Sequence, residues 1–132
     1  MKIALLDDFH EIIESTLIDW GCEVIDWKDW KISDFKKNSK ILDGLIIRSR
    51  IPLDETSLKC AKNLKFIARP GAGLENIDLS YCEKNNIKVF RSPEGNRDAV
   101  AEHTIAMILM LINNIRTSDL QIRNGIWERE SN

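Results

Sequence analysis

The chain has 132 residues, 43% of them hydrophobic and 30% charged, with a formal net charge of −2. That length carries one compact domain with its own core. The slightly acidic balance argues against a nucleic-acid or anionic-membrane surface, and the longest apolar stretch, Thr104 to Ile112, is about half of what a spanning helix needs.

The start, MKIALLDDF, has too short an apolar core for a signal peptide and turns acidic at once. The three cysteines, Cys22, Cys60 and Cys82, are odd in number and form no Cys-x-x-Cys pair. They read as reduced, mostly buried thiols of a cytoplasmic protein. His10 and His103 share no ligand-like spacing with a cysteine or carboxylate, so no metal site is expected.

In chain order, Lys2 to Leu6 reads as a buried strand that ends in Asp7-Asp8. Ile12, Ile13, Thr16, Leu17 and Trp20 recur at helical spacing, and Gly21 stands where a helix stops. Glu23 to Trp27 is a second strand. Lys28 to Lys40 is polar, with Trp30, Ile32 and Phe35 able to pin a short helix to the body. Leu42 to Ile47 is a third strand, running into Arg48-Ser49-Arg50. A helix follows from Pro52 to about Ala61, with Asp54 as its N-cap. Leu64 to Ala68 is a fourth strand, Leu79 to Asn85 a short helix and Ile87 to Phe90 a fifth strand. Arg91 to Asp98 is rich in turn formers and reads as a loop. Asp98 or Asn96 then caps a long helix, about Ala99 to Ile115, apolar nearly all round from Ile105 to Ile112. Such a helix expects partners on more than one side. A short helix is expected in the tail, Arg116 to Asn132. The four tryptophans, Trp20, Trp27, Trp30 and Trp127, read as packing rather than cofactor contacts.

Five alternations of strand and helix predict an α/β fold: a flavodoxin-like, five-stranded parallel sheet with helices on both faces, followed by the long helix. In such sheets ligands collect at the carboxyl ends of the strands. Two of these ends carry anion-friendly chemistry. Arg48-Ser49 offers a guanidinium fork and a hydroxyl, or else a solvated ion pair. Arg69-Pro70-Gly71-Ala72-Gly73 sets a fixed positive charge beside a turn whose glycines expose backbone N–H groups, or else makes a plain strand-to-helix turn. Neighbouring parallel strands lie about 4.8 Å apart, so adjacent loops of this kind would close on one small carboxylate. Gly71-x-Gly73 is no dinucleotide fingerprint. The third glycine is replaced by Asn76, and only a short helix follows. Glu102-His103 are adjacent on a helix, point about 100° apart and make no acid–base dyad.

Four segments in this order, IIRSR, FIARPGAGLENID, IKVFRSPEGNRDAVAEHTIAMIL and IRNGIWER, resemble the D-2-hydroxyacid dehydrogenases. The likeness is greatest to the branch acting on 3-phosphoglycerate in serine biosynthesis. The resemblance implies a substrate-binding domain over residues 1–98. It makes residues 99–132 a crossover helix and the truncated start of an NAD-binding domain. It gives Arg48, Ser49, Arg69, Gly71, Ala72 and Gly73 to the grip on a 2-hydroxy or 2-oxo acid. Ala72 and Asn96 would face the NAD cofactor. Ala72 stands where many relatives carry threonine, which removes one hydroxyl contact. The long helix, 99–115, would build a homodimer. The family's G-x-G-x-x-G loop and its catalytic arginine, glutamate and histidine have no counterpart here. The expected activity is therefore an NAD-dependent oxidation at CH–OH by the whole enzyme, with this chain inactive alone. A stand-alone anion-binding or dimerisation module is the other reading.

Overall fold

The structure, a computed structural model, describes residues 1–130. It divides into two compact units, Met1–Gly95 and the segment from Asn96 onward. In the first unit, strands β1 (Lys2–Leu5), β2 (Glu23–Asp26), β3 (Gly44–Ile46), β4 (Phe66–Arg69) and β5 (Lys88–Arg91) form one sheet in the order β2-β1-β3-β4-β5. Every pairing is parallel. This is the flavodoxin-like order expected from the alternation of elements.

Helices α1 (Glu11–Asp19), α2 (Ile32–Asn38), α3 (Glu55–Leu58) and α4 (Leu79–Lys84) connect the strands. Alternate strand residues point to opposite faces. Ala4, Leu6, Leu45, Ile47 and Ile67 share a core with Phe35 of α2, Leu58 of α3 and Cys82 of α4. Ile3, Leu5 and Ile46 pack on the other face against Leu17 of α1. The central strands β1 and β3 are buried on both sides, which accounts for their nearly unbroken apolar runs.

Local signals decide where helices begin and end. Gly21 follows α1 at φ +75°, a conformation that favours glycine. Asp54 caps α3 by accepting from the Ser57 N–H at 2.8 Å, and Asp78 caps α4 by accepting from the Tyr81 N–H at 2.9 Å. Bonds from the Ser57 N–H, the Ser57 hydroxyl and the Thr56 hydroxyl hold the Asp54 carboxyl down at about 2. Helix α3 is shorter than expected: after Leu58 the chain tightens into i→i−3 bonds from Cys60 and Ala61.

In the second unit, α5 (Glu94–Ile112, with its first residues in the preceding unit) and α6 (Ile115–Arg123) are separated at Asn114, which adopts φ +49°. The long helix thus ends sooner than the expected Ile115, because Asn is one of the few residues that tolerates this left-handed turn. It also begins earlier. The turn-former-rich stretch read as a loop is helical from Glu94, so Asn96 and Asp98 lie inside the helix rather than capping it. Pro93, directly before the first turn, has the fixed φ that suits this place. The two final residues of the tail lie outside those described. Among the described residues no helix is long and apolar enough to cross a membrane, and no group of His, Cys, Asp and Glu is placed to hold a metal.

Two expectations on packing change. Only Cys82 is buried, while Cys22 and Cys60 are partly exposed; all three are free thiols. Burial, aided by nearby Asp78, pushes the Cys82 thiol up to about 11, so it is inert. Trp27 and Trp30 do pack, stacked at 4.0 Å, but Trp20 and Trp127 are more than 70% exposed.

Candidate functional site

Pairing of Gly44 with Phe66 and of Ile46 with Ala68 sets β3 and β4 side by side and pointing the same way. The Ile47 N–H extends the ladder to the Ala68 carbonyl at 3.0 Å. The two loops singled out in the sequence therefore leave the same end of the sheet from adjacent strands.

Arg69 is the last residue of β4, and only 11% of its side chain is exposed. It lies across the gap between the loops. Its Nε donates to the Arg48 carbonyl at 2.7 Å, while Nη1 stands 3.4 Å from Glu75 Oε2. Arg48 is anchored at its own N–H, which donates to Asp7 Oδ2 at 2.6 Å, and its guanidinium sits over the Phe9 ring at 5.1 Å. Asp7, in the loop after β1, thus positions Arg48. Ser49 is exposed between Arg48 and Arg50.

The two glycines of the β4 loop are needed for different reasons. Gly71 takes φ +157° with nothing within 4 Å of where a Cβ would stand, so the backbone, not the space, favours glycine. At Gly73 the space is taken: a Cβ would stand 2.1 Å from Glu75 Oε2 and 2.7 Å from Arg69 Nη1. The loop carbonyls turn towards the end of β5, Gly71 accepting from the Ser92 N–H at 3.0 Å and Ala72 from Arg91 Nη1 at 3.3 Å. Among the described residues no backbone N–H of Gly71, Ala72 or Gly73 donates to a backbone carbonyl. Amide donors with no backbone acceptor, beside a mostly buried guanidinium, have the chemistry that suits a small anion.

Two further residues hold the loops in place. The first is Arg50, at the end of the Arg48-Ser49-Arg50 run. Its guanidinium donates to the carbonyls of Leu6, Trp27 and Trp30, three of its five N–H groups tying β1 and β2 to the β3 loop. Asn76 was noted only as standing where a third glycine would be. Its Nδ2 donates to the carbonyls of Arg48 at 3.3 Å and Ile51 at 3.4 Å, and its own carbonyl accepts from the Leu53 N–H at 2.7 Å. Together with the Leu53–Ile77 bridge it clasps the two loops to each other. Its partners lie 25 and 28 residues away, so no local pattern marks it.

A cleft of about 500 Å³ opens nearby, at the ends of β1, β2 and β3. Asp7, Asp8, Lys28, Asp29, Arg48 and Arg50 line it, but Arg69 and the glycine loop do not. Arg69 and the glycine loop thus lie outside this cleft. Nor do these residues build a dinucleotide cradle. Asn76 is committed to the clasp, and α4, six residues long, is capped by the chain's own Asp78. Asn96, exposed in the first turn of α5, belongs to the other unit.

Residues 3–128 match the catalytic domain of the D-isomer specific 2-hydroxyacid dehydrogenases. D-3-phosphoglycerate dehydrogenase from Archaeoglobus fulgidus is 36% identical over 88 residues, 67% of this chain and 17% of that protein. The Sus scrofa enzyme of the same name is 29% identical over 98% of this chain and 24% of its own length. Among solved structures, NAD+-bound 3-phosphoglycerate dehydrogenase from Entamoeba histolytica is 36% identical, with a TM-score of 0.70 over 83% of this chain and 38% of its own. NAD-dependent formate dehydrogenase from Staphylococcus aureus superposes with a TM-score of 0.79 at 26% identity, over 97% of this chain and 43% of its own. The chain spans about a fifth of the curated relatives and about two fifths of the solved ones.

Proposed function

The chain belongs to the D-isomer specific 2-hydroxyacid dehydrogenases, and from that premise we propose that it is the acid-gripping part of a cytoplasmic, NAD-dependent enzyme that oxidises a D-2-hydroxy acid. The relatives named D-3-phosphoglycerate dehydrogenase make 3-phosphoglycerate, and hence serine biosynthesis, the first candidate. The observation that carries the reading is the unspent N–H row of Gly71 to Gly73 beside Arg69. The substrate carboxylate takes those amides and the guanidinium, a charge-assisted pairing that fixes the reacting carbon. Arg48 and Ser49 stand at the substrate's acidic end, and Ala72 faces the nicotinamide. Asn76 and Asp7 position the loops and do not touch substrate. The chain binds and orients the acid, and nicotinamide chemistry belongs to the rest of the whole enzyme.

Titration of the chain with 3-phosphoglycerate and with D-lactate, followed by amide NMR, tests the grip. The expected result is shifts centred on Gly71 to Gly73, with affinity falling about tenfold or more in Arg69→Ala. Unmoved amides would sink it. Grafting the chain in place of the matching segment of the Sus scrofa relative tests the enzyme half. NADH should form with at least one D-2-hydroxy acid, and no turnover with any of them refutes the proposal.

A second reading rests on α5, where Ile105, Ile108, Leu109, Leu111 and Ile112 are all at least 48% exposed. Apolar surface of this kind drives association, and we assign this helix to a homodimer contact. Sedimentation at high concentration should show a dimer, and a clean monomer argues against it.

A further inference from the structure

The anion site already holds a carboxylate, the chain's own. Glu75 Oε2 stands 3.4 Å from Arg69 Nη1, and the two Glu75 oxygens occupy the space that a Gly73 side chain would fill. The backbone N–H of Glu75 itself, the Arg69 charge and the Leu74 N–H hold this carboxyl below its usual range. The geometry pairs this carboxylate with the Arg69 guanidinium, as a bound acid would be. The two partners are unequal: Arg69 is 11% exposed and fixed by the Arg48 carbonyl, whereas Glu75 is 76% exposed and its bond is long. The arginine is the built part of the site, and the glutamate is a loosely held occupant.

We propose that Glu75 is a resident carboxylate that fills the Arg69 grip when no acid is bound, and that the substrate's carboxylate must displace it. The inference rests on the acid-grip reading and adds a residue that sets affinity within it. Displacement exchanges one carboxylate for another on Arg69 and frees Glu75 into water, where an exposed anion is well solvated. Only acids that use more donors than Glu75 does gain from the exchange. An acid that also reaches the amides of Gly71 to Gly73 does so; a simple halide does not. Glu75 thus screens the site against small inorganic anions. Glycine at position 73 keeps the space in which the exchange takes place.

The test uses the chain with D-lactate as probe, comparing wild type, Glu75→Gln and Glu75→Asp by calorimetry and amide NMR. Glu75→Gln should bind about fivefold tighter, the worth of a partly exposed ion pair no longer in competition. Glu75→Asp keeps the charge but is one methylene too short to reach Arg69, so it should behave like Glu75→Gln. Chloride should weaken D-lactate binding more in Glu75→Gln than in wild type. If Glu75→Gln binds no tighter while wild type binds, the resident carboxylate is refuted and the grip stands. If Glu75→Asp behaves like wild type, Glu75 acts through diffuse repulsion and occupancy is refuted. If no variant binds, the grip reading falls and this inference falls with it.

Discussion

The two faces of the sheet are not equally covered. On one, Leu45, Ile47 and Ile67 are wholly buried beneath Phe35, Leu58 and Cys82 of three helices. On the other, Ile3, Leu5 and Ile46 have Leu17 of α1 above them, and further along Phe66 is half-buried and Phe90 is 54% exposed. Both faces come from the same short strands, with apolar residues at alternating positions. The strand pattern sets which residues point to which face. Where the connecting helices land then decides whether that face becomes core.

The largest expected effect breaks the comparison if it fails. Leu45→Ala opens a cavity under three helices and should cost about 2–5 kcal/mol. Phe90→Ala removes only an edge-on ring contact with Phe66, at 6.4 Å between centroids, and should cost about 1 kcal/mol or less. Urea unfolding of both variants checks the ratio. Equal losses would mean that Phe90 is covered as well as Leu45 is.

A smaller effect sharpens it. Phe66 lies over Gly44 of the neighbouring strand, its ring tip 2.2 Å from where a Cβ would stand. Gly44→Ala must push the ring away. Because Phe66 is on the thinly covered face, the ring has room to swing outward. The cost should stay near the low end of overpacking, about 1 kcal/mol. A loss of about 3 kcal/mol or more in thermal unfolding would show that the ring is held as tightly as the covered core.

Much of this was legible in the sequence, and the parts that were not have physical reasons. The five strands, the parallel order and the caps at Gly21 and Asp54 follow from local patterns of a few residues. The early start of α5 was hidden because Gly95 and Asn96 are poor helix formers; in a first turn that penalty is small, and Pro93 outweighs it. That Arg48, Arg69 and the glycine turn leave the same end of the sheet was legible, because each follows directly on a strand of a parallel sheet. The roles of Asn76, Arg50 and Glu75 were not visible. Asn76 and Arg50 bond backbone carbonyls that only the folded chain brings near. Glu75 reads as an ordinary surface acid until Arg69 is seen beside it.

The smallest effect concerns α3, one of the helices that cover the well-packed face. Asp54 accepts from the Ser57 N–H, the Ser57 hydroxyl and the Thr56 hydroxyl, each at 2.8 Å. Its carboxyl is lowered from 3.8 to about 2. A carboxyl lowered on folding stabilises the fold fully above its unfolded value and stops doing so as pH falls through its folded one. The contribution should be complete at neutral pH, unchanged down to about pH 4, and lost between about 4 and 2. Other carboxyls, Asp26 and Asp43 among them, are lowered as well, so the acid limb of the wild type alone does not isolate this group. Asp54→Asn does, because it keeps an accepting oxygen and removes only the charge. The stability gap between wild type and Asp54→Asn should be flat from neutral pH to about 4 and close as the pH approaches 2. A gap that widens towards acid would mean that the charge opposes the cap, and that α3 holds its place over the sheet through Leu58 rather than through its first turn.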